Sequence, residues 1–336
     1  MKKVYLILLL ISLHITLFSQ DIHFSQFDAS PLNLNPAQTS DINHDFRIVL
    51  NHRNQWQSVT VPYLTVSGSF EGKMHLLKNK LKGYWGYGLL INADKAGDGD
   101  FGTTQIKLST AYHHPLKNKY LNTISVGMNI AYNYQSIDFT KFYFGNQFNG
   151  TYYNPNLPND EVFQQNSISY IDFSTGLQLK GAINKIPLIF GLAYNHLNHP
   201  QQSFDNANIQ LDGKLNTYLF SDFRITSANY LQPSVYYYQQ GILKELSYGV
   251  LFLHKTPSII IPTVFIGGWI RHKDAVIIKG GFDYKQFRIG LSYDINFSKL
   301  TVASQGRGGY EISIIYMFDK PAKIIIPYQH QCPVLM

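Results

Sequence analysis

The chain has 336 residues, room for one large barrel or two ordinary domains. Aromatic residues make up 15% of it and charged residues also only 15%, whereas soluble domains carry about 25% charge, so an ordinary soluble domain is disfavoured. The formal net charge is +7, but the basic residues form no single stripe with interleaved aromatics, and no nucleic-acid partner is expected.

The N-terminus sets the compartment. Met1-Lys2-Lys3 is a short positive region, and 4–16 is an apolar core broken only by Ser12, His14 and Thr16. Ser19 and Gln20 then offer a cleavage point. This is the layout of a secretory signal peptide over 1–19; the apolar run is shorter than the roughly 20 residues of a spanning helix. The one cysteine, Cys332, rules out a disulfide framework. An exported chain without a second spanning helix belongs in the periplasm, on the surface, or in the outer membrane as a barrel. Its aromatic load, low charge and mean hydropathy near zero favour the barrel.

Residues 20–44 read as a periplasmic N-terminal segment. Within it 24–37 is rich in proline and asparagine, a pattern of neither helix nor strand. It is expected to enter or cap the barrel, or to meet a periplasmic partner. From 45 to 318 the dominant period is two. Over 123–135, Ile124, Val126, Met128, Ile130, Tyr132 and Tyr134 alternate with Ser125, Gly127, Asn129, Ala131 and Asn133. The same alternation runs through 104–113, 171–180 and 288–297. Each run has the length of a tilted membrane strand, about ten residues, with one apolar and one polar face.

The pattern predicts an all-β fold, a single transmembrane antiparallel barrel of about 14 strands. The strands start near Asp45, Tyr63, Trp85, Thr103, Asn122, Ile168, Ile186, Thr217, Leu231, Glu245, Thr263, Ala275, Phe287 and Gly309. Proline and mixed patterning blur those near Tyr63, Leu231 and Thr263. With a periplasmic N-terminus, the long connections 136–167 and 196–214 fall outside, and the tight turns 181–185 and 285–286 inside. The turn 272–274 is tight yet external. An even count returns the tail, 319–336, to the periplasm.

Arg53 and Trp56 sit at the outer end of the first strand, Trp56 as a girdle residue and Arg53 paired with a lumen carboxylate such as Asp94. The stretch 92–100 places Asp94, Asp98 and Asp100 in a glycine-rich turn. It lacks the terminal glutamate of an EF-hand loop, so it reads as a surface turn with calcium as the alternative. His196 and His199 do not face one way on a strand end and have no third ligand, and His113-His114 reads as an interfacial strand end. Lys73, His75, Lys78, Lys80 and Lys82 form a basic periplasmic connection, a solvated turn or a docking surface for an acidic partner or anionic lipid headgroups. The inward candidates Lys107, Asn129, Asp172, Lys279, Asp283, Arg288 and Asp294 carry both signs, which by pairing would close the lumen. No GxSxG elbow, HExxH helix, Walker loop or dinucleotide fingerprint is present, and no cofactor is expected.

The opening Gln20-Asp21-Ile22-His23-Phe24-Ser25-Gln26-Phe27, then Pro31-Leu32-Asn33-Leu34-Asn35-Pro36-Ala37, resembles the start of the PorP/SprF family. Asn51-His52-Arg53-Asn54-Gln55-Trp56 resembles its "NYRNQW". Gly88-Leu89-Leu90 with Asp94-Lys95-Ala96-Gly97, Asn195-His196-Leu197-Asn198-His199-Pro200, and the ending Gln331-Cys332-Pro333 follow in the family's order. The departures are His52 for tyrosine, Gln38-Thr39 after the NPA element, and His199 for a polar amide. The resemblance implies a non-enzymatic outer-membrane component of type IX secretion. It would aid export or attachment of a large surface adhesin and serve gliding or secretion, with outer-membrane lipid, the cargo, and periplasmic ring or peptidoglycan-linked proteins as partners. Phe24, Asn35, Pro36, Arg53, Trp56, Lys78, Lys80 and Lys82 are the partner-binding candidates. The alternatives are a diffusion porin or solute transporter and, more remotely, an outer-membrane hydrolase.

Overall fold

The computed structural model describes residues 21–56, 61–74, 83–158, 161, 165–204, 208–298 and 306–321. The signal region, Lys78, Lys80, Lys82 and the Cys332 ending lie outside the described residues. The alternating runs form strands β1 (Phe46–Gln55), β2 (Tyr63–Met74), β3 (Tyr84–Ala96), β4 (Phe101–Pro115), β5 (Leu121–Ser136), β6 (Ser167–Ile183), β7 (Ile186–Asn195) and β8 (Lys214–Ser221). The two-residue β9 (Phe223–Arg224) continues β8 beyond a break at Asp222. Then follow β10 (Asn229–Gln240), β11 (Leu243–Lys255), β12 (Thr263–Arg271), β13 (Ala275–Tyr284), β14 (Phe287–Asn296) and β15 (Arg307–Phe318).

Each strand pairs antiparallel with its neighbour, and β15 returns to β1 with Phe318 opposite Phe46, which closes the sheet. Counting β8 and β9 as one broken strand, the wall is the expected 14-stranded barrel. The expected starts at Tyr63, Ile186, Thr263, Ala275 and Phe287 coincide with the observed ones, and the others fall within three residues.

Closure leaves the wall without a free edge strand, the arrangement a bilayer demands of a spanning sheet. The alternation sets the faces. On β5, Val126, Met128 and Ile130 point outward and are exposed, while Ser125, Asn129 and Asn133 are buried inside. In water, so apolar an exterior would be an aggregation surface; in lipid it is the solvated face. The connections 137–166 and 196–213 lie at one end, the loop end. Tight turns close much of the other, the turn end: Asn184 and Lys185 both have positive φ (50° and 68°), the backbone of a two-residue hairpin turn.

The lumen is not empty. Of the segment 20–44, expected on the periplasmic side, residues 21–41 lie inside the barrel. Of the positions open to it, entering the barrel is the one adopted. The reason is chemical: Phe24, Phe27, Leu32 and Leu34 need burial, and the backbone polar groups of an irregular segment need partners. The wall's inner face supplies both. The segment folds as a 3-10 turn (Phe27–Ala29), one turn of α-helix (Pro31–Leu34) and a second 3-10 turn (Pro36–Gln38), with Asn35 capping the last by accepting from Ala37 N. It runs from the loop end, at Asp21, to the turn end, where β1 begins.

Candidate functional site

The plug and the wall around it form the site. At the loop end Asp21 lies 3.3 Å from Lys214 and 3.7 Å from the His196 ring. His196 Nδ1 also lies 2.9 Å from Asp172. Burial works against its charge, but the two carboxylates outweigh it and raise its pKa above the ordinary imidazole value. Arg53 donates to the His23 carbonyl at 2.5 Å.

One turn deeper, Glu311 accepts from two successive backbone groups, Ser25 N at 2.7 Å and Gln26 N at 2.8 Å. Ser25 Oγ donates to Asp294 at 2.6 Å and accepts from Arg271. Arg53 lies 3.3 Å from Glu311, and Arg271 lies 3.1 Å from Asp294 and 3.4 Å from Glu245. Two buried arginines are thus matched by carboxylates, the condition under which buried charge is tolerated. Asp28 takes both its oxygens to Lys279, at 2.7 and 2.8 Å.

At mid-depth Asn35, fully buried, donates to the Leu177 and Leu192 carbonyls and to the Tyr218 hydroxyl. Opposed glycines make room for it. Gly127 pairs with Gly176 across β5 and β6. A Cβ on Gly176 would sit 1.9 Å from Asn35 Oδ1, and one on Gly127 2.4 Å from the Pro36 backbone. Toward the turn end Thr39 Oγ1 bonds Ser109 Oγ, and Ser40 N donates to Glu71, which Arg47 also grips with two bonds of 2.8 Å. His113 joins Ser125 and the Thr39 carbonyl, both at 2.8 Å. Asp41 is held by Gln178 and Lys180, and Lys73 donates to the Ile42 carbonyl.

The expected site residues divide accordingly. Phe24, Asn35, Pro36 and Arg53 are brought together, but buried against the chain's own parts. Arg53 pairs with Glu311 and Asp294 rather than with Asp94, which instead accepts from Thr65. Trp56 stands at the loop-end mouth, packed edge-on against Tyr63. The surface turn holds no convergence of carboxylates: Asp94 faces inward, and Asp100 is bridged by Lys95 and Lys141. Among the described residues no group of three His, Cys, Asp or Glu could hold a metal. His113, expected as an interfacial strand end, faces the lumen, because its position shares the parity of Gln105, Lys107 and Ser109. Lys107, Asn129, Asp172, Lys279 and Asp294 are buried inside the wall as expected, and Arg288 pairs with Asp283. Sequence reasoning missed the plug anchors Asp28, Thr39, Asp41, Glu71 and Glu311. The mid-strand glycines were the available signal, since such a glycine marks a close backbone approach.

A cavity of about 510 Å³ opens at the loop end above the plug, lined by Arg53, Trp56, Asp94, Glu245, Arg271 and the plug's own 21–23. The plug forms its floor.

Fold and lumen together define an outer-membrane β-barrel filled by its own N-terminal segment. The chain matches the model of a family described as type IX secretion system membrane protein PorP/SprF over residues 16–316. It belongs to that family. No curated protein matches it. Among solved structures it resembles the toluene transporter TbuX of Ralstonia pickettii, at 10% identity and a TM-score of 0.53, covering 87% of this chain and 94% of that one. The P. putida toluene transporter TodX aligns at 11% identity and a TM-score of 0.49, over 85% and 93%. At such identities the likeness is one of fold alone.

Proposed function

We propose that the barrel is a closed, non-enzymatic partner-binding component of type IX secretion, which aids export or surface attachment of a large adhesin. The observation that carries this is the plug. A diffusion pore needs an open lumen, whereas here 21–41 occupies it and is tied to the wall by an ion pair at each end, Asp21 to Lys214 and Asp41 to Lys180. Long loops of outer-membrane barrels face outward, so 137–166 would meet the cargo. That loop exposes Tyr143, Phe148 and Tyr152, aromatic anchors of the kind that dominate protein interfaces. It is shaped by Gln147, which donates to Leu157 O and accepts from Tyr153. The turn end would face the secretion ring or peptidoglycan-linked proteins, with the tail 319–336 and Lys78, Lys80 and Lys82 as the proposed contacts. Gliding would depend on it through the adhesin.

The test is affinity purification of the tagged barrel from outer membranes, with co-purifying proteins identified by mass spectrometry, beside planar-bilayer conductance of the pure barrel. Recovery of a type IX adhesin or periplasmic anchoring proteins with a silent barrel is expected. A partner-free barrel that conducts would replace this reading with the porin one.

A further inference from the structure

On the outer, lipid-facing side of the wall a glycine leaves a gap. Along β13, Val276, Ile278 and Phe282 point outward and are exposed, and Gly280 holds the outward place between the last two. A Cβ there would meet nothing nearer than the Phe265 carbonyl at 3.7 Å. The missing side chain opens a groove of about 460 Å³, lined by Ile261, Val264, Gly280, Phe282, Ile289 and Leu291. That volume falls within the range of small-molecule sites. Every lining side chain is apolar. The groove runs from mid-wall, where Gly280 pairs with Leu291, to the turn end at Ile261, and it is continuous with the surface that lipid covers.

Its turn end has the features of a membrane interface. The connection between β11 and β12 exposes Ile259, Ile260 and Ile261 in succession, Ile259 at 93%. It is held in one shape. Ser258 Oγ accepts from Ile260 N and Ile261 N, both at 3.2 Å, and Thr256 N donates to Pro262 O at 2.9 Å. Contiguous apolar exposure of this kind marks an interaction or membrane surface. Lys285 N donates to Ile260 O at 3.1 Å, which sets the β13–β14 turn against the same connection. The Lys285 side chain is exposed, with Nζ 5.5 Å from the centre of the Tyr284 ring, and it meets no carboxylate at ion-pair distance among the described residues. Two residues on, Phe287 begins a row of outward rings. Phe287, Tyr316, Phe318 and Phe46 stack in turn, 4.5, 5.0 and 5.1 Å apart. Such a row marks the edge of the hydrocarbon layer, so Lys285 stands at headgroup level.

We propose that this groove binds one anionic phospholipid, with an acyl chain over Gly280 and the phosphate paired with Lys285. The apolar groove alone would take any lipid chain; the lysine at its mouth adds a preference for a negative headgroup. The site lies outside the barrel and depends neither on the plug nor on the secretion role.

The experiment releases the full barrel from detergent micelles into native mass spectrometry. The probes are equimolar dioleoyl phosphatidylglycerol and dioleoyl phosphatidylcholine, alike in their chains and different in headgroup charge. One lipid should stay bound per barrel, phosphatidylglycerol about fivefold over phosphatidylcholine, a difference of about 1 kcal/mol. Lys285→Gln should equalise the two while leaving phosphatidylcholine retention unchanged. Gly280→Leu, which fills the groove, should reduce retention of both to background. Gly268→Leu puts the same side chain on the same outer face but outside the groove, where a Cβ meets only the Ile277 carbonyl at 3.8 Å, and should change nothing. Heat-modified gel mobility confirms that each variant is a folded barrel. No retained lipid, equal loss in both glycine variants, or a phosphatidylglycerol preference that survives Lys285→Gln would each overturn the proposal. A barrel dimer that Gly280→Leu dissolves would give this face to a second copy of the chain instead.

Discussion

Strands β1–β6 with β14 and β15 turn Asn51, Ser67, Glu71, Asn92, Gln105, Asn133, Gln178 and Glu311 toward the lumen. Strands β8 and β10–β13 turn Tyr218, Tyr236, Leu251, Phe265, Trp269 and Ile277 there instead. One plug spans both halves. Against the first it is held by directional bonds such as Glu311 to two backbone N–H groups; against the second it is held by burial, with Phe27 stacked at 5.1 Å from Tyr236 and edge-on to Trp269. The polar half therefore fixes where the plug sits along the lumen, because each bond has one geometry. The aromatic half supplies non-directional attraction that tolerates small shifts.

The largest expected effect comes from removing what the halves share. Deleting 21–41 should convert a silent barrel into one that conducts in a planar bilayer. A deletion barrel that folds and remains silent would show that something other than the plug closes the lumen. The next test sets one half against the other. Glu311→Ala leaves the buried Ser25 and Gln26 N–H groups without their acceptor and takes from Arg53 its nearer carboxylate, and should cost about 3–5 kcal/mol in urea unfolding. Phe27→Ala should cost a similar amount, about 3–5 kcal/mol, through the cavity it leaves. Because both act on one short segment, the double variant should cost less than the sum, since a plug released by one change has little left to lose. Strict additivity would mean that the halves hold the segment independently.

A smaller effect probes fit alone. Gly176→Ala drives a methyl into Asn35 and should cost about 1–3 kcal/mol by overpacking. Gly68→Ala, whose added Cβ would lie 3.5 Å from Leu50 in ordinary contact, should change stability little. Equal costs at the two positions would sink the claim that the opposed glycines exist to admit the plug.

The same contrast explains what the sequence made legible. Alternation was clear on β5, β6 and β14, where the inner face is polar and small. It blurred on β10 and β12, because Tyr236, Tyr238, Phe265 and Trp269 make the lumen face apolar too, and a strand apolar on both sides has no period of two. The leader's Asn-Pro steps marked it as irregular but not as enclosed, since enclosure depends on partners such as Glu71 and Glu311, one near and one far along the chain. Arg53 was legible as a lumen cation, but its partner was not. Asp94 and Glu311 are both carboxylates, and only the closing β1–β15 register, with Arg53 opposite Glu311, decides between them.

The smallest expected effect tests the loop-end tether. His196 is buried between Asp172 and Asp21, and these carboxylates, outweighing the burial, hold its proton above the ordinary imidazole value of 6.5. The group's pKa is thus higher in the folded chain than in the unfolded one, and protonation stabilises the fold. That contribution is full below about pH 6.5, the unfolded value, and fades as pH rises through the raised folded value. Residues 21–23 should therefore exchange backbone hydrogens, corrected for intrinsic rate, faster above that transition than below it, while the Glu311-held 25–26 should not change. His196→Asn should flatten the dependence without altering the exchange of 25–26. A transition that moves both groups together, or that persists in His196→Asn, would assign the tether to Lys214 and Asp21 rather than to the histidine.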